Sequence, residues 1–305
     1  MTRVSTYASQ RIAQQQLMRT REETDKLVQQ QVTGRRPGTF ADLGVDTGRA
    51  LNAHGLLDQL KAQAWVNQGV QTQLSLYDNR LTEIDQTMEG LRVELWKAVS
   101  TNDAPTLTQQ IKEAYETFRG SLNAIDDGKQ LFAGANTEED SLKPATLDDL
   151  AALADADLGT AYGNDQVRRS GRVGDGQSFE YGLLASDLGT DFLKAFKSLQ
   201  QMGDIPTKMS DTQIIQIKEI AGTILTGLGR LRELEAANGV RQNRIEAIDT
   251  RVTDRTRIMT GVISGLEDAD VAKVATELTA HQELLKISFK SYRDWSELSL
   301  ADYLR

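Results

Sequence analysis

His54 and His281 are the only histidines in this 305-residue chain, and there is no cysteine. Metal ligation by imidazoles would place two of them one helical turn apart. His54 and His281 are far apart in sequence, and His281 falls on an apolar helical seam where a packed residue is expected. Without cysteine, disulfides, thiolate catalysis and thiolate metal sites fall away. Asp268 and Asp270 could hold a cation, but ahead of a helix they read as caps. Gly174-Asp175-Gly176 reads as a hairpin tip rather than a calcium loop. Gly34-Arg35-Arg36-Pro37-Gly38 lacks the Gly-Lys-Ser/Thr ending and the preceding strand of a phosphate loop. Arg35-Arg36 suits either an acidic neighbour or a solvated turn. Trp65, Trp96 and Trp295 read as packing residues, with Trp295 the best interface anchor. No Ser-His-Asp, paired-acid or zinc pattern stands out. The expectation is a protein without catalytic residues, cofactor or metal.

The elements behind these residues are long helices. Only four prolines favour them. Leu56, Leu60, Val70, Leu74, Tyr77, Leu81, Ile84, Met88, Leu91, Leu95 and Ala98 form one stripe. From Val70 its steps alternate four and three, which is a coiled-coil seam. Polar Gln63 and Asn67 interrupt it. The helix should begin near Asp46 or Thr47 and run to about Ser100, roughly 80 Å at 1.5 Å per residue. A second long helix should start at the capping box Ser210-Asp211-Thr212-Gln213. Its register holds through Ile217, Ile220, Ile224, Leu231, Leu234, Ile245, Ile248, Val252, Met259, Val262 and Leu266. Gly227, Asn238, Arg241 and Arg255 fall on that seam and should weaken it. The two long helices are natural antiparallel partners.

Between them Asn102-Asp103-Ala104-Pro105 signals a shorter helix, with Leu107, Ile111, Ala114, Phe118, Leu122 and Ile125 on its buried face. Residues 136–189 lose the helical period. Gln166–Val173 and Gln177–Leu184 are expected strands, and a short helix carries Phe192, Phe196 and Leu199. Helices are also expected over the first 32 residues and from Val271 onward.

The fold class expected is mainly α: a long antiparallel helical bundle or coiled coil built from both chain halves, with a small β-containing insertion. The segments are residues 1–45, 46–135, 136–205, 206–266 and 267–305. Both ends carry apolar residues that need cover; the nested order brings the two tips to the same end of the bundle, where they can pack together and then against other copies of the chain. The assembly residues are Ile12, Leu17, Leu27, Val271, Val274, Leu278, Leu285, Phe289, Tyr292, Trp295, Leu298, Leu300, Tyr303 and Leu304. Ordering such ends is favourable only in a packed array, so residues of about 1–40 and 268–305 should be mobile in the free monomer. A net charge of −9 argues against nucleic acid as a partner. No run of 18 apolar residues suggests a membrane span, and the opening Met1-Thr2-Arg3-Val4 has no apolar leader.

This nested order resembles the flagellin superfamily. Four stretches carry the likeness: Val32-Thr33-Gly34-Arg35-Arg36 with Thr47–Asn52; Leu131-Phe132-Ala133-Gly134-Ala135-Asn136-Thr137; Asn238-Gly239-Val240-Arg241-Gln242-Asn243-Arg244; and Leu266-Glu267-Asp268-Ala269-Asp270-Val271-Ala272. The start Val4-Ser5-Thr6 and the ending Leu298-Ser299-Leu300-Ala301-Asp302-Tyr303-Leu304 resemble the branch that joins hook to filament. The loop Gly38–Gly44 departs from the family's Ser-x-Asp-Asp-Pro. The resemblance implies an extracellular axial component of the bacterial flagellum, exported without a cleavable signal. It implies as partners other copies, a hook-associated protein on the hook side, flagellin on the filament side, and an export chaperone on the C-terminal segment. A short flagellin, or more remotely a cytosolic coiled-coil scaffold, are the competing readings. Recognition of a glycan or host surface by the insertion is a further one.

Overall fold

The computed structural model describes residues 2–36, 40–136, 138–174, 176–203, 205–206 and 208–301; side chains are described except in 2–10, 40–42 and 294–301. The chain divides into two units: Met1–Lys61 with Asp254–Arg305, and Ala62–Thr253.

In the second unit the long helices α2 (Thr47–Thr101) and α6 (Asp211–Glu267) pack along their seams. Val70 to Ala98 of the expected stripe are all buried, as are Ile217, Ile220, Ile224, Leu231, Ile245, Ile248 and Val252. The pairing is antiparallel. Asn67 donates to Asp249 at 3.3 Å, and Arg232 to Asp85 at 2.8 Å. The start of α6 follows its expected box: the Ser210 amide donates to the Gln213 side chain at 3.0 Å, and the Gln213 amide to Ser210 Oγ at 3.3 Å.

Helix α3 (Leu107–Leu122) and helix α5 (Asp191–Gln201) complete this core. The ring of Phe118 lies 5.7 Å from Phe192 and 5.5 Å from Phe196, while Tyr115 meets Phe196 at 5.2 Å. Gly227 has a constructive role that spacing alone hides. A Cβ there would stand 2.7 Å from the Phe192 ring, so its bareness lets α5 reach α6.

Ile125 is a correction. It is exposed on β1 (Ile125–Asp126), paired with β2 (Lys129–Gln130). Helix α3 stops at Leu122 because Asn123 is held sideways: its Oδ1 accepts from the Leu142 amide at 2.7 Å and its Nδ2 donates to the Leu142 carbonyl at 3.0 Å. Asp127 and Gly128 then turn the chain at φ of 48° and 73°, the pair of left-handed residues a tight hairpin demands.

The insertion is richer in short elements than its sequence suggests. Helix α4 (Leu147–Ala152) carries a Thr146–Asp149 capping box, and short 3-10 helices cover Asp155–Ala161 and Ala185–Leu188. The expected strands are present but shorter: β3 is Ser170–Val173 and β4 is Gln177–Glu180, in antiparallel register. Their outer halves leave the ladder because the Arg169 carbonyl accepts both the Tyr181 and Gly182 amides at 3.0 Å.

In the first unit, α1 (Thr2–Thr33) and α7 (Val271–Ala301) pair antiparallel. The α2 residues buried here are Ala50, Ala53, Leu57 and Leu60, whereas Leu56 is exposed. The alternation of three and four passes through Leu57, one residue off the expected Leu56.

Candidate assembly site

Two of the four sequence stretches meet in the first unit. Gly34 turns the chain after α1 at φ 68°. Beyond it, Arg35 forms an isolated antiparallel bridge with Asp268, the turn between α6 and α7. The Arg36 amide donates to the Glu267 carbonyl at 2.7 Å, and the Ala269 amide to the Gly34 carbonyl at 2.8 Å. The Glu267 side chain is buried, and His54 Nε2 stands 2.6 Å from its Oε1. Backbone bonds between two turns far apart in sequence thus clasp both terminal helices. The acidic run does what its spacing suggests: Asp270 Oδ1 caps the Lys273 amide at 3.1 Å, and Ser264 donates to Asp268.

The other two stretches work inside the second unit. Leu131, Phe132 and Ala133 are buried, with the Leu131 carbonyl accepting from Tyr77 at 2.9 Å and the Phe132 carbonyl from the Ala185 amide at 3.0 Å. Burial pushes the Tyr77 hydroxyl up to about 12, offset in part by Arg169. Gly134, at φ 71°, has no room for a Cβ, which would come within 2.8 Å of the Val167 carbonyl. Asn238 and Gln242 both donate to the Leu74 carbonyl, at 3.0 and 3.2 Å, and Arg244 lies 5.3 Å from the centre of the Phe179 ring.

The expected assembly residues fall into distinct groups. Val274 and Leu278 are buried, and Leu17, Leu27, Leu285 and Tyr292 are half-buried. They belong to the faces on which α1 and α7 meet, where Gln14 donates to Tyr292 at 3.1 Å and Glu23 stands 3.7 Å from His281. Thr20 and Thr24 fill the α1 side of that contact, their hydroxyls turned back to carbonyls of their own helix. Ile12, Val271 and Phe289 remain exposed. Trp295, Leu298 and Leu300 lie on α7 beyond the described side chains, and Tyr303 and Leu304 lie outside the described residues.

Two residues absent from that expectation complete the surface. Leu284 and Ile287 are exposed on a second face of α7. With Ala280 they recur at i, i+4 and i+7, a helical stripe that the heptad of Val271, Leu278, Leu285 and Tyr292 overshadows.

The first unit has a thin interior. Among described side chains, its buried hydrophobic residues are Ala50, Ala53, Leu57, Leu60, Val274 and Leu278. Its exposed large hydrophobics are far more numerous, from Ile12, Met18, Val28 and Val32 on α1 to Val271, Leu284, Ile287 and Phe289 on α7. Exposed apolar residues that share a helix face can form an interaction site. Charge follows the same division. The first unit carries 16 Lys and Arg against 15 Asp and Glu, the second 19 against 29. Copies of a near-neutral unit can pack closely without net repulsion.

No group of three His, Asp or Glu residues is gathered for a metal among the described residues, and no described helix is long and apolar enough to cross a membrane. At the expected hairpin tip the Gly176 amide donates to the Gly174 carbonyl at 2.8 Å, while Asp175 lies outside the described residues.

Residues 4–137 match the bacterial flagellin N-terminal helical region. Among the solved structures that share the fold are the following two. One is described as a flagellar hook-associated protein from Vibrio parahaemolyticus, 14% identical with a TM-score of 0.61 over 74% of this chain and 100% of that one. The other is FlgL of Bacillus cereus, 13% identical with a TM-score of 0.54 over 70% of this chain and 98% of that one. No curated relative matches the sequence.

Proposed function

We propose that this chain, whose residues 4–137 are of the flagellin family, is the subunit that joins hook to filament in a bacterial flagellum. The observation that carries the reading is the first unit: two paired terminal helices with a thin interior and several large hydrophobic residues left exposed. Such a unit gains stability when neighbouring copies cover it. A contact repeated by rotation and rise then closes into a tube. Its contact residues are Ile12, Val271 and Phe289 with Leu284 and Ile287, while Val274, Leu278, Leu285 and Tyr292 hold α1 to α7. The ending Leu298–Leu304 supports the junction branch over a filament-forming flagellin. The protein works as a structural component rather than an enzyme. Its neighbours are a hook-associated protein on one side and flagellin on the other. It leaves the cell after an export chaperone has held its C-terminal segment. Residues 1–45 and 267–305 serve assembly, 46–135 and 206–266 form the helical body, and 136–205 the outer insertion.

The deciding experiment locates fluorescently labelled protein on intact flagella. A short zone at the distal end of the hook is expected. Label along the whole filament would replace this reading with a short flagellin, and label confined to the cytoplasm with a scaffold.

A further inference from the structure

The seam between α2 and α6 is not uniform. From Leu81 to Leu95 it is apolar and backed by α3 and α5. Further toward Asn67 it turns polar. Asn67 and Asn238 are wholly buried, and each leaves its Oδ1 without a hydrogen-bond partner; Gln73 Oε1 and Arg241 Nη1 are also buried and unpartnered. Unmet buried polar groups weaken a packed seam. Polar residues at seam positions also lower the stability of a coiled coil.

This weak stretch has a separate small core. Val70, Leu74, Ile245 and Ile248 pack with Val173 and Phe179 of the β3–β4 hairpin. The hairpin fits closely. A Cβ on Gly171 would stand 3.2 Å from Val70 Cγ2, and one on Gly174 3.6 Å from Ile248 Cγ2. Arg244 stacks over Phe179 at 5.3 Å, from the same turn of α6 as Gln242, which bonds the Leu74 carbonyl.

We propose that the β3–β4 hairpin is a strap that holds shut a built-in weak stretch of the α2–α6 seam. While Phe179 and Val173 are seated, Asn238 stays dry and, with half-buried Gln242, holds the Leu74 carbonyl. When the strap lifts, water reaches the amides and this stretch opens alone. The apolar stretch from Leu81 to Leu95 stays closed, because α3 and α5 hold it. The device is local to the second unit and does not depend on the junction reading.

Hydrogen exchange on the free full-length chain tests it, with Phe179→Ala and, separately, Gly171→Val, which pushes the strap away from Val70. Amides of 67–74 and 238–249 should exchange at least about tenfold faster in both variants. Amides of 84–95 and 217–231 should keep their rates. Equal acceleration in both stretches, or none in the first, would overturn the proposal. So would a loss of protection spread over the whole second unit, because it would make the hairpin part of one cooperative core. The assembly reading is untouched by either outcome.

Discussion

The second stripe on α7 offers the sharpest test of assembly. Leu284 is 54% exposed and Ile287 65% exposed. Fully burying such a side chain contributes about 1.5–3 kcal/mol. The part still open on these two is therefore worth about 2–3.5 kcal/mol together once a neighbour covers it. At roughly 1.4 kcal/mol per factor of ten, Leu284→Ser with Ile287→Ser should weaken subunit association about 30- to 300-fold. Neither residue is in the buried contact between α1 and α7, so the free chain should keep its helix content and the melting of its second unit. Sedimentation across a concentration series reads the association, and labelled protein in motile cells reads incorporation. Val274→Ser with Leu278→Ser is the contrast: it removes buried residues, so it should loosen the helix pair in the monomer as well. Association of the Leu284/Ile287 variant within roughly threefold of the unsubstituted chain would refute the assignment of this stripe.

Other perturbations read the rest of the molecule. Removing residues 270–305 should abolish incorporation yet leave the second unit folded, as followed by its thermal transition and by labelled flagella. Gly227→Val drives a branched side chain into the Phe192 ring, and overpacking of this kind costs about 1–3 kcal/mol, measurable by denaturant titration. Glu235 has its carboxyl pushed above the usual range, first by burial and then by Asp85 and Asp78, with Arg232 opposing. Its ionisation therefore costs the folded chain more than the unfolded one. The penalty is absent below the ordinary carboxylate range and complete above the raised value. Glu235→Gln should accordingly stabilise the second unit at neutral pH and change nothing near pH 3, a difference that melting at the two pH values would show.

What could be read from sequence depended on how long each pattern persisted. The stripe from Val70 to Ala98 repeats over many turns, and α2 and α6 follow from it together with their antiparallel pairing. The six residues of α4 and the four to seven of each 3-10 turn are too short to show a period, although the Thr146–Asp149 box was available. Ile125 fitted a helical face by spacing, yet Asn123 bonds to Leu142 and ends the helix first. Gly227 looked like a flaw because the residue it accommodates, Phe192, arrives from another element. At the ends, periodicity marked Val274, Leu278, Leu285 and Tyr292 as contact residues, and the nested order placed the two tips where they could pack together, as α1 and α7 do. Leu284 and Ile287 form the fainter repeat. The turn-to-turn bonds of Gly34 and Arg36 to Glu267 and Ala269 are backbone contacts, which side-chain patterns do not announce.

Those bonds have a consequence for timing. They join residues 34–36 to residues 267–269, so the greater part of the chain lies in the loop they close. Contacts of such long separation form late. Whichever end appears first in a growing or emerging chain, it waits for the other before the clasp can form. A chain cut short, or misread before its last helix, never supplies the second half. The first unit is thereby a check on completeness: an incomplete chain can fold its middle but cannot present the paired helices that neighbours would accept.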